Sequence, residues 1–312
     1  MTTLRERIGV DLGGRRRLED GLAWAAANDV RYVDACLEGA PGHLNAPAKW
    51  TAARVAEVRA TCERHGIHLG LHSASAVNIA ETSPLPAEAA EQYLATYLDV
   101  AQRLGAEWIV VHGGYHFTGD FAARLTASIE RLERAADQAE RAGVRLLLEN
   151  LNREPEHAEI RYLAHNLEEC REYFGRIRSP ALGWAFTVNH AYLVPEGIDG
   201  FLDAMDVGRC GEVRLADSHG RWEEHLKPGE GTIDFARLFK RLEGGDYRGH
   251  YMLAFGSLDD MLAGPRALRP RRRVTISRSW SPKRGGPAPA RPSRTAPPRG
   301  RRRRRRVARA HP

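Results

Sequence analysis

Short apolar runs alternate with amphipathic stretches along the first 260 residues. The runs at 8–12, 32–37, 68–72, 108–112, 145–151, 182–188, 212–216 and 251–255 begin about 25 to 40 residues apart and read as buried strands. Between them, 18–28, 51–65, 87–104, 119–142, 160–174, 198–207 and 233–242 carry helical periodicity. Leu125, Ile129, Leu132 and Ala136, for example, fall on one helix face. Gly66, Gly105 and Gly143 each stand between a helix and the next strand, the place of a C-terminal cap. An eighth helix is expected to start after Ser257, an N-cap residue type, and to be interrupted by Pro265 and Pro270.

Eight strand–helix units predict an α/β fold, a (β/α)8 TIM barrel. The competing doubly wound sheet often has a glycine-rich phosphate loop after its first strand. Here that position reads Asp11-Leu12-Gly13-Gly14-Arg15, which is not G-x-G-x-x-G. No P-loop and no nucleophile elbow occurs.

Charge divides the chain. The net charge is +7, yet residues 265–312 contain 18 Arg/Lys and no acidic residue. Of 47 basic residues, 29 remain in 1–264 beside 40 acidic ones, a net charge of −11. The barrel is therefore an acidic body, which disfavours nucleic acid as its partner. Residues 265–312, with nine of the 17 prolines and the run Arg301 to Arg306, are expected to form a disordered basic C-terminal tail. Three origins fit it: a non-native segment read out of frame from GC-rich DNA, an inert extension, or a basic arm. The domain division is thus 1–264 and 265–312. No apolar run reaches the roughly 20 residues a membrane span needs. The N-terminus lacks a signal-peptide core, and four scattered cysteines suit a reducing cytoplasm. Nothing in the sequence sets an oligomeric state.

In such a barrel the active site lies at the C-terminal ends of the strands. Those ends carry His72, His112, Glu149, His190 and, beyond strand seven, His219 and His225. Imidazole and carboxylate side chains converging from separate strands suit a divalent metal, with zinc or manganese ahead of magnesium or cobalt. Glu149 stands out, because a carboxylate at the end of a buried Leu-Leu-Leu strand needs a charged partner or a metal. Asn150, Asn152, Asn189 and Asp217 are candidates for substrate hydroxyls or for orienting ligands, and equally for bonding loop backbone. Lys227, ahead of Gly229-Glu230-Gly231, is a candidate for a substrate phosphate and equally a solvated loop lysine.

The stretches Gly70-Leu-His-Ser, Trp108-Ile-Val-Val-His-Gly-Gly, Leu146-Leu-Leu-Glu-Asn, Asn189-His-Ala, Val213-Arg-Leu-Ala-Asp-Ser-His-Gly and His225-Leu-Lys-Pro-Gly-Glu-Gly-Thr-Ile-Asp-Phe, in that order, resemble the xylose-isomerase-like TIM barrel superfamily over about residues 5–262. That group includes sugar phosphate isomerases/epimerases and apurinic endonucleases with three zinc ions. In its one-metal members the ligands are Glu, Asp, His and Glu from strands five to eight. Glu149 and His219 are the matches to the first and third, while Thr187 and Ala254 stand at the second and fourth. The three-zinc layout implies a first site of His72, His112 and Glu149. It implies a third site of His190 and His225, with Glu223 where the family has Asp.

The resemblance implies a metal-assisted isomerase or epimerase of a small carbohydrate. Glu149 is the implied base; Ala254 removes the second, so that either His190 or His219 replaces it or only a one-base isomerisation remains. The alternatives are a non-catalytic barrel lacking two metal ligands, a metal-dependent phosphodiester hydrolase, and lyase or dehydratase chemistry. A Thr187→Asp/Ala254→Glu double change is expected to restore the four-ligand site.

Overall fold

The computed structural model of this chain describes residues 4–14, 16–38 and 44–267. The expected tail lies outside them, apart from the start of 265–312 that closes the last helix. The strands are β1 (Ile8–Asp11), β2 (Tyr32–Ala35), β3 (His68–His72), β4 (Trp108–Val111), β5 (Arg145–Glu149), β6 (Leu182–Thr187), β7 (Cys210–Leu215) and β8 (His250–Leu253). All are parallel and close into an eight-stranded barrel in chain order, with β1 pairing β8. This is the TIM barrel that the alternating pattern predicts.

Strand parity sorts the apolar residues into two cores. Leu69, Leu71, Ile109, Val111, Leu146 and Leu148 belong to the large outer core that the helices cover. Trp108, Val110, Leu147, Ala185 and Met252 form a separate small cluster inside the barrel. Gly70 makes room there: a Cβ at that position would lie 2.0 Å from the Trp108 indole. The amphipathic reading of Phe121–Ala142 holds, since Ile129, Leu132 and Ala136 are all buried. That helix and Pro84–Leu104 end on Gly143 and Gly105, whose φ of 70° and 71° is the left-handed cap conformation.

Three local expectations change. Residues 160–162 form a strand, Ile160–Tyr162, rather than a helix start, and pair with Tyr115–Phe117 in an antiparallel ribbon. The helix begins only at Leu167, where the Asn166 side chain accepts from the Glu169 N–H. An isolated Ile-Arg-Tyr triplet carries too little periodicity to distinguish the two. Residues 188–191 leave the sheet as a helical turn, Val188–Ala191, which turns Asn189 and His190 back over the barrel mouth. The last helix, Leu258–Ala267, continues through Pro265. Its start is firmly capped: the Asp260 N–H donates to Ser257 Oγ at 3.2 Å, and the Ser257 N–H donates to Asp260 Oδ2 at 3.0 Å.

Candidate metal centre

Among the described residues, two three-residue sets bring ligand atoms close enough to share an ion. The first is built on strand ends. His72 closes β3, His112 follows β4, and Glu149 closes β5. His72 Nε2 lies 3.1 Å from His112 Nε2 and 3.3 Å from Glu149 Oε2, while His112 Nε2 lies 3.0 Å from the same oxygen. Donors held about 2.0–2.1 Å from a tetrahedral zinc ion stand about 3.3 Å apart, so this triangle fits three ligands of one ion. Behind the rings, Ser73 Oγ is 3.3 Å from His112 Nδ1 and Asp11 Oδ2 is 3.6 Å from His72 Nδ1. Such partners fix ring orientation.

The charges here are tightly coupled. Burial works against the Glu149 anion, but hydrogen bonds with His112 and His72, together with the Arg214 charge, hold its carboxyl well below the usual range. Burial and Arg214 oppose a charge on His72, but Asp11 and Glu149 outweigh them and lift it to about 9. Burial lowers His112. A metal arriving at this triangle would therefore displace a proton from His72.

The second set comes from the turn after β6 and from the loop after β7. Glu223 Oε1 lies 2.9 Å from His190 Nε2 and 2.7 Å from His225 Nε2. His190 Nδ1 is 2.8 Å from the Asn150 carbonyl oxygen, and His225 Nδ1 is 2.7 Å from that of Ala254. Burial would raise Glu223, but the two histidines outweigh it and hold the carboxyl at about 2. Two acceptors beside this set, Glu223 Oε2 and Asn189 Oδ1, are buried without a hydrogen-bond partner. Orphaned acceptors of this kind suit a cation, so this donor set also fits a metal. Glu149 links the sets, its Oε1 lying 3.6 Å from His190 Nδ1.

Beneath both lies a buried charged layer that the sequence reading missed. Arg214 Nη1 donates to Asp34 Oδ2 at 2.6 Å and to Glu212 Oε1 at 2.5 Å. Its Nη2 donates to Asp11, and its Nε stands 3.9 Å from Glu149 Oε1. Asp34 also accepts from Trp108 Nε1 at 2.8 Å, and Glu212 pairs with His250 at 2.8 Å. Burial disfavours the guanidinium charge, but Glu212, Asp11, Glu149 and Asp34 outweigh it and keep Arg214 protonated. The available signal was the alternation Glu212-Val213-Arg214 in an otherwise apolar strand, which puts both charges on the inward face.

The remaining expected site residues fare differently. His219 is not brought to either set. The inward position of β7 is Arg214, which is in register with Thr187 and Met252. Five residues later the chain has left the strand, and His219 is exposed with Nδ1 3.2 Å from Glu224. Lys227 points away toward Asp260, 3.7 Å from its carboxylate. Asn150 straps β5 to β6: its Oδ1 accepts from the Thr187 N–H at 2.8 Å, and its Nδ2 donates to the Thr187 carbonyl at 3.0 Å. Both ends of that side chain are thus committed to backbone. Asn189 does reach the second set, its Nδ2 donating to Glu223 Oε1 at 3.3 Å and to the Glu224 carbonyl at 3.0 Å. Asp217 proves a loop organiser. Its carboxylate accepts from the backbone N–H groups of Ser218, Gly229, Gly231 and Ile233. That pins down the loop carrying Glu223 and His225.

Comparison with known proteins agrees with this architecture. The xylose isomerase-like TIM barrel family profile matches residues 22–271. A curated relative from Mycobacterium ulcerans (strain Agy99), named "Probable endonuclease 4", is 26% identical over 230 residues, which is 72% of this chain and 84% of that protein. The crystal structure of a D-tagatose 3-epimerase-like protein superposes with a TM-score of 0.72 at 20% identity, covering 84% of this chain and 95% of that one. Endonuclease IV from Thermus thermophilus superposes with a TM-score of 0.64 at 22% identity, covering 84% and 97%. With its barrel closed and the profile matched over most of its length, this chain belongs to the xylose isomerase-like TIM barrel family.

Proposed function

We propose that this chain is a metal-assisted isomerase of a small sugar or sugar phosphate. The first set holds one divalent ion, and His190 moves the proton. The observation that carries this reading is an oriented imidazole beside a three-donor triangle. The Asn150 carbonyl, 2.8 Å from His190 Nδ1, makes that nitrogen a donor. Nε2 is then the end that exchanges protons, with Glu223 Oε1 at 2.9 Å to stabilise the charge. The ion, when bound, supplies a Lewis acid that polarises a carbonyl and the adjoining hydroxyl. Glu149 serves as ligand rather than base, since its carboxyl is held well below the usual range and its Oε1 accepts from Thr187 Oγ1. Ala254 leaves the end of β8 without a carboxylate, which favours one-base transfer between neighbouring carbons over two-base epimerisation. The −11 body supports a small substrate over a nucleic acid. The same reading takes 1–264 as the working barrel and 265–312 as a separate basic segment, in a cytoplasmic protein.

A second reading, phosphodiester hydrolysis, is favoured by the orphaned Glu223 Oε2 and Asn189 Oδ1. They suit a second ion held by His190, Glu223 and His225. The name of the Mycobacterium relative points the same way. One experiment separates the readings. Aldoses, ketoses and their phosphates are incubated with metal-loaded protein and followed by NMR, alongside the phosphodiester bis(p-nitrophenyl) phosphate assayed for release of p-nitrophenol. Interconversion that chelator and His190→Gln both abolish supports the isomerase. Cleavage of the diester without sugar interconversion supports the hydrolase and overturns the first reading.

A further inference from the structure

The four-ligand site that the family resemblance implies on strands five to eight does not fit this chain. By register and position its places are held by Glu149, Thr187, Arg214 and Ala254. Only the first is an anionic ligand; the others are a hydroxyl, a cation and a methyl group. We infer that Arg214 stands in for the central divalent ion, so that a fixed guanidinium beneath the first set supplies the positive charge there.

Three features carry this. The Arg214 side chain is only 3% exposed, and three inward carboxylates, Asp11, Asp34 and Glu212, point at its terminal nitrogens. Buried carboxylates converging on one point need a cation there, and a planar guanidinium serves several at once where a lysine could not. Next, Arg214 Nε stands 3.9 Å from Glu149 Oε1, the carboxylate oxygen facing away from the first triangle. An ion bound to that oxygen would sit within a few ångströms of a permanent positive charge in a low-dielectric interior, where like charges repel strongly. Finally, Glu149 Oε1 already accepts from Thr187 Oγ1, the side chain that stands where the family supplies an anionic ligand. Arg214 is a positioning residue. It touches Glu149 and Asp11, the carboxylates that contact His72, and acts on the two histidines by its charge.

The inference rests on the metal reading of the first set, and its test reads a difference between variants that does not depend on how much metal the wild type carries. Full-length wild type, Thr187→Asp/Ala254→Glu and Thr187→Asp/Arg214→His/Ala254→Glu are loaded with zinc, desalted and analysed for metal per chain, with folding checked by circular dichroism. The double variant is expected to gain no equivalent, because Arg214 pairs with the new carboxylates. The triple variant is expected to gain one. A full equivalent gained by the double variant overturns the inference, as does a folded triple variant that gains none. If the triple variant fails to fold, Thr187→Asp/Arg214→Lys/Ala254→Glu replaces it: it keeps the charge and is expected to gain nothing, and a gain overturns the inference. A wild type that carries no metal retires the functional reading but leaves this comparison intact.

Discussion

The two sets contain the same chemistry, two histidines and one glutamate, but they are built differently. His72, His112 and Glu149 sit at or directly after the ends of adjacent strands, with side-chain exposures of 17%, 4% and 5%. Their positions follow from barrel closure alone. His190, Glu223 and His225 depend on a helical turn and a long loop, and Glu223 and His225 are 32% and 45% exposed. A rigid frame thus supplies one set and an organised loop the other. The contrast predicts that the first set resists perturbation of the loops, while the second is lost when the loop is loosened.

The largest effect is expected from Glu149→Gln. It removes the one carboxylate of the first triangle and should weaken metal binding there on the order of 100-fold or more, measured by competition with a chromogenic chelator. His225→Ala should leave that tight binding unchanged. Equal losses in both variants would break the distinction between the sets. Next comes Asp217→Ala, which removes a carboxylate that bonds only loop backbone. Four backbone N–H groups would lose a buried acceptor. A destabilisation of about 2–4 kcal/mol is expected in denaturant unfolding, with metal affinity of the first set retained.

The smallest effect concerns protons. Glu223 is held at about 2, below its unfolded value of 4.5. Its contribution to metal-free stability is therefore fully present above pH 4.5 and is lost as pH falls toward 2. Discounted for the partial exposure of the carboxylate, this amounts to about 1–2 kcal/mol. Glu223→Gln should flatten the acid limb of the chelated protein's stability curve between pH 4.5 and 2 by that amount, while an unchanged limb would show that the three side chains do not interact in solution.

The same contrast explains what could be read from the sequence. Strand-end positions follow from periodicity, so the barrel, Glu149, His72 and His112 were all legible. His190 was legible because it follows β6 closely. The layer under the site was not, because Asp11, Asp34, Glu212 and Arg214 look unremarkable one at a time; only closure brings residues up to 203 positions apart into contact. His219 was misplaced for a related reason. It shares a short motif with Arg214, and motif matching does not say which residue still lies on the strand. Asn150 and Asp217 are polar residues at strand ends, as substrate ligands would be, yet both bind backbone instead. Composition could not distinguish those uses, since a carboxylate or amide serves a buried N–H as readily as a substrate hydroxyl.

The most direct test of the central claim is anomalous scattering from crystals of the full chain grown with zinc. A peak is expected at bonding distance from His72 Nε2, His112 Nε2 and Glu149 Oε2, about 2 Å from each, present in the wild type and absent in Glu149→Gln. A wild-type crystal with no peak between those three atoms, or an undiminished peak there in Glu149→Gln, would contradict it.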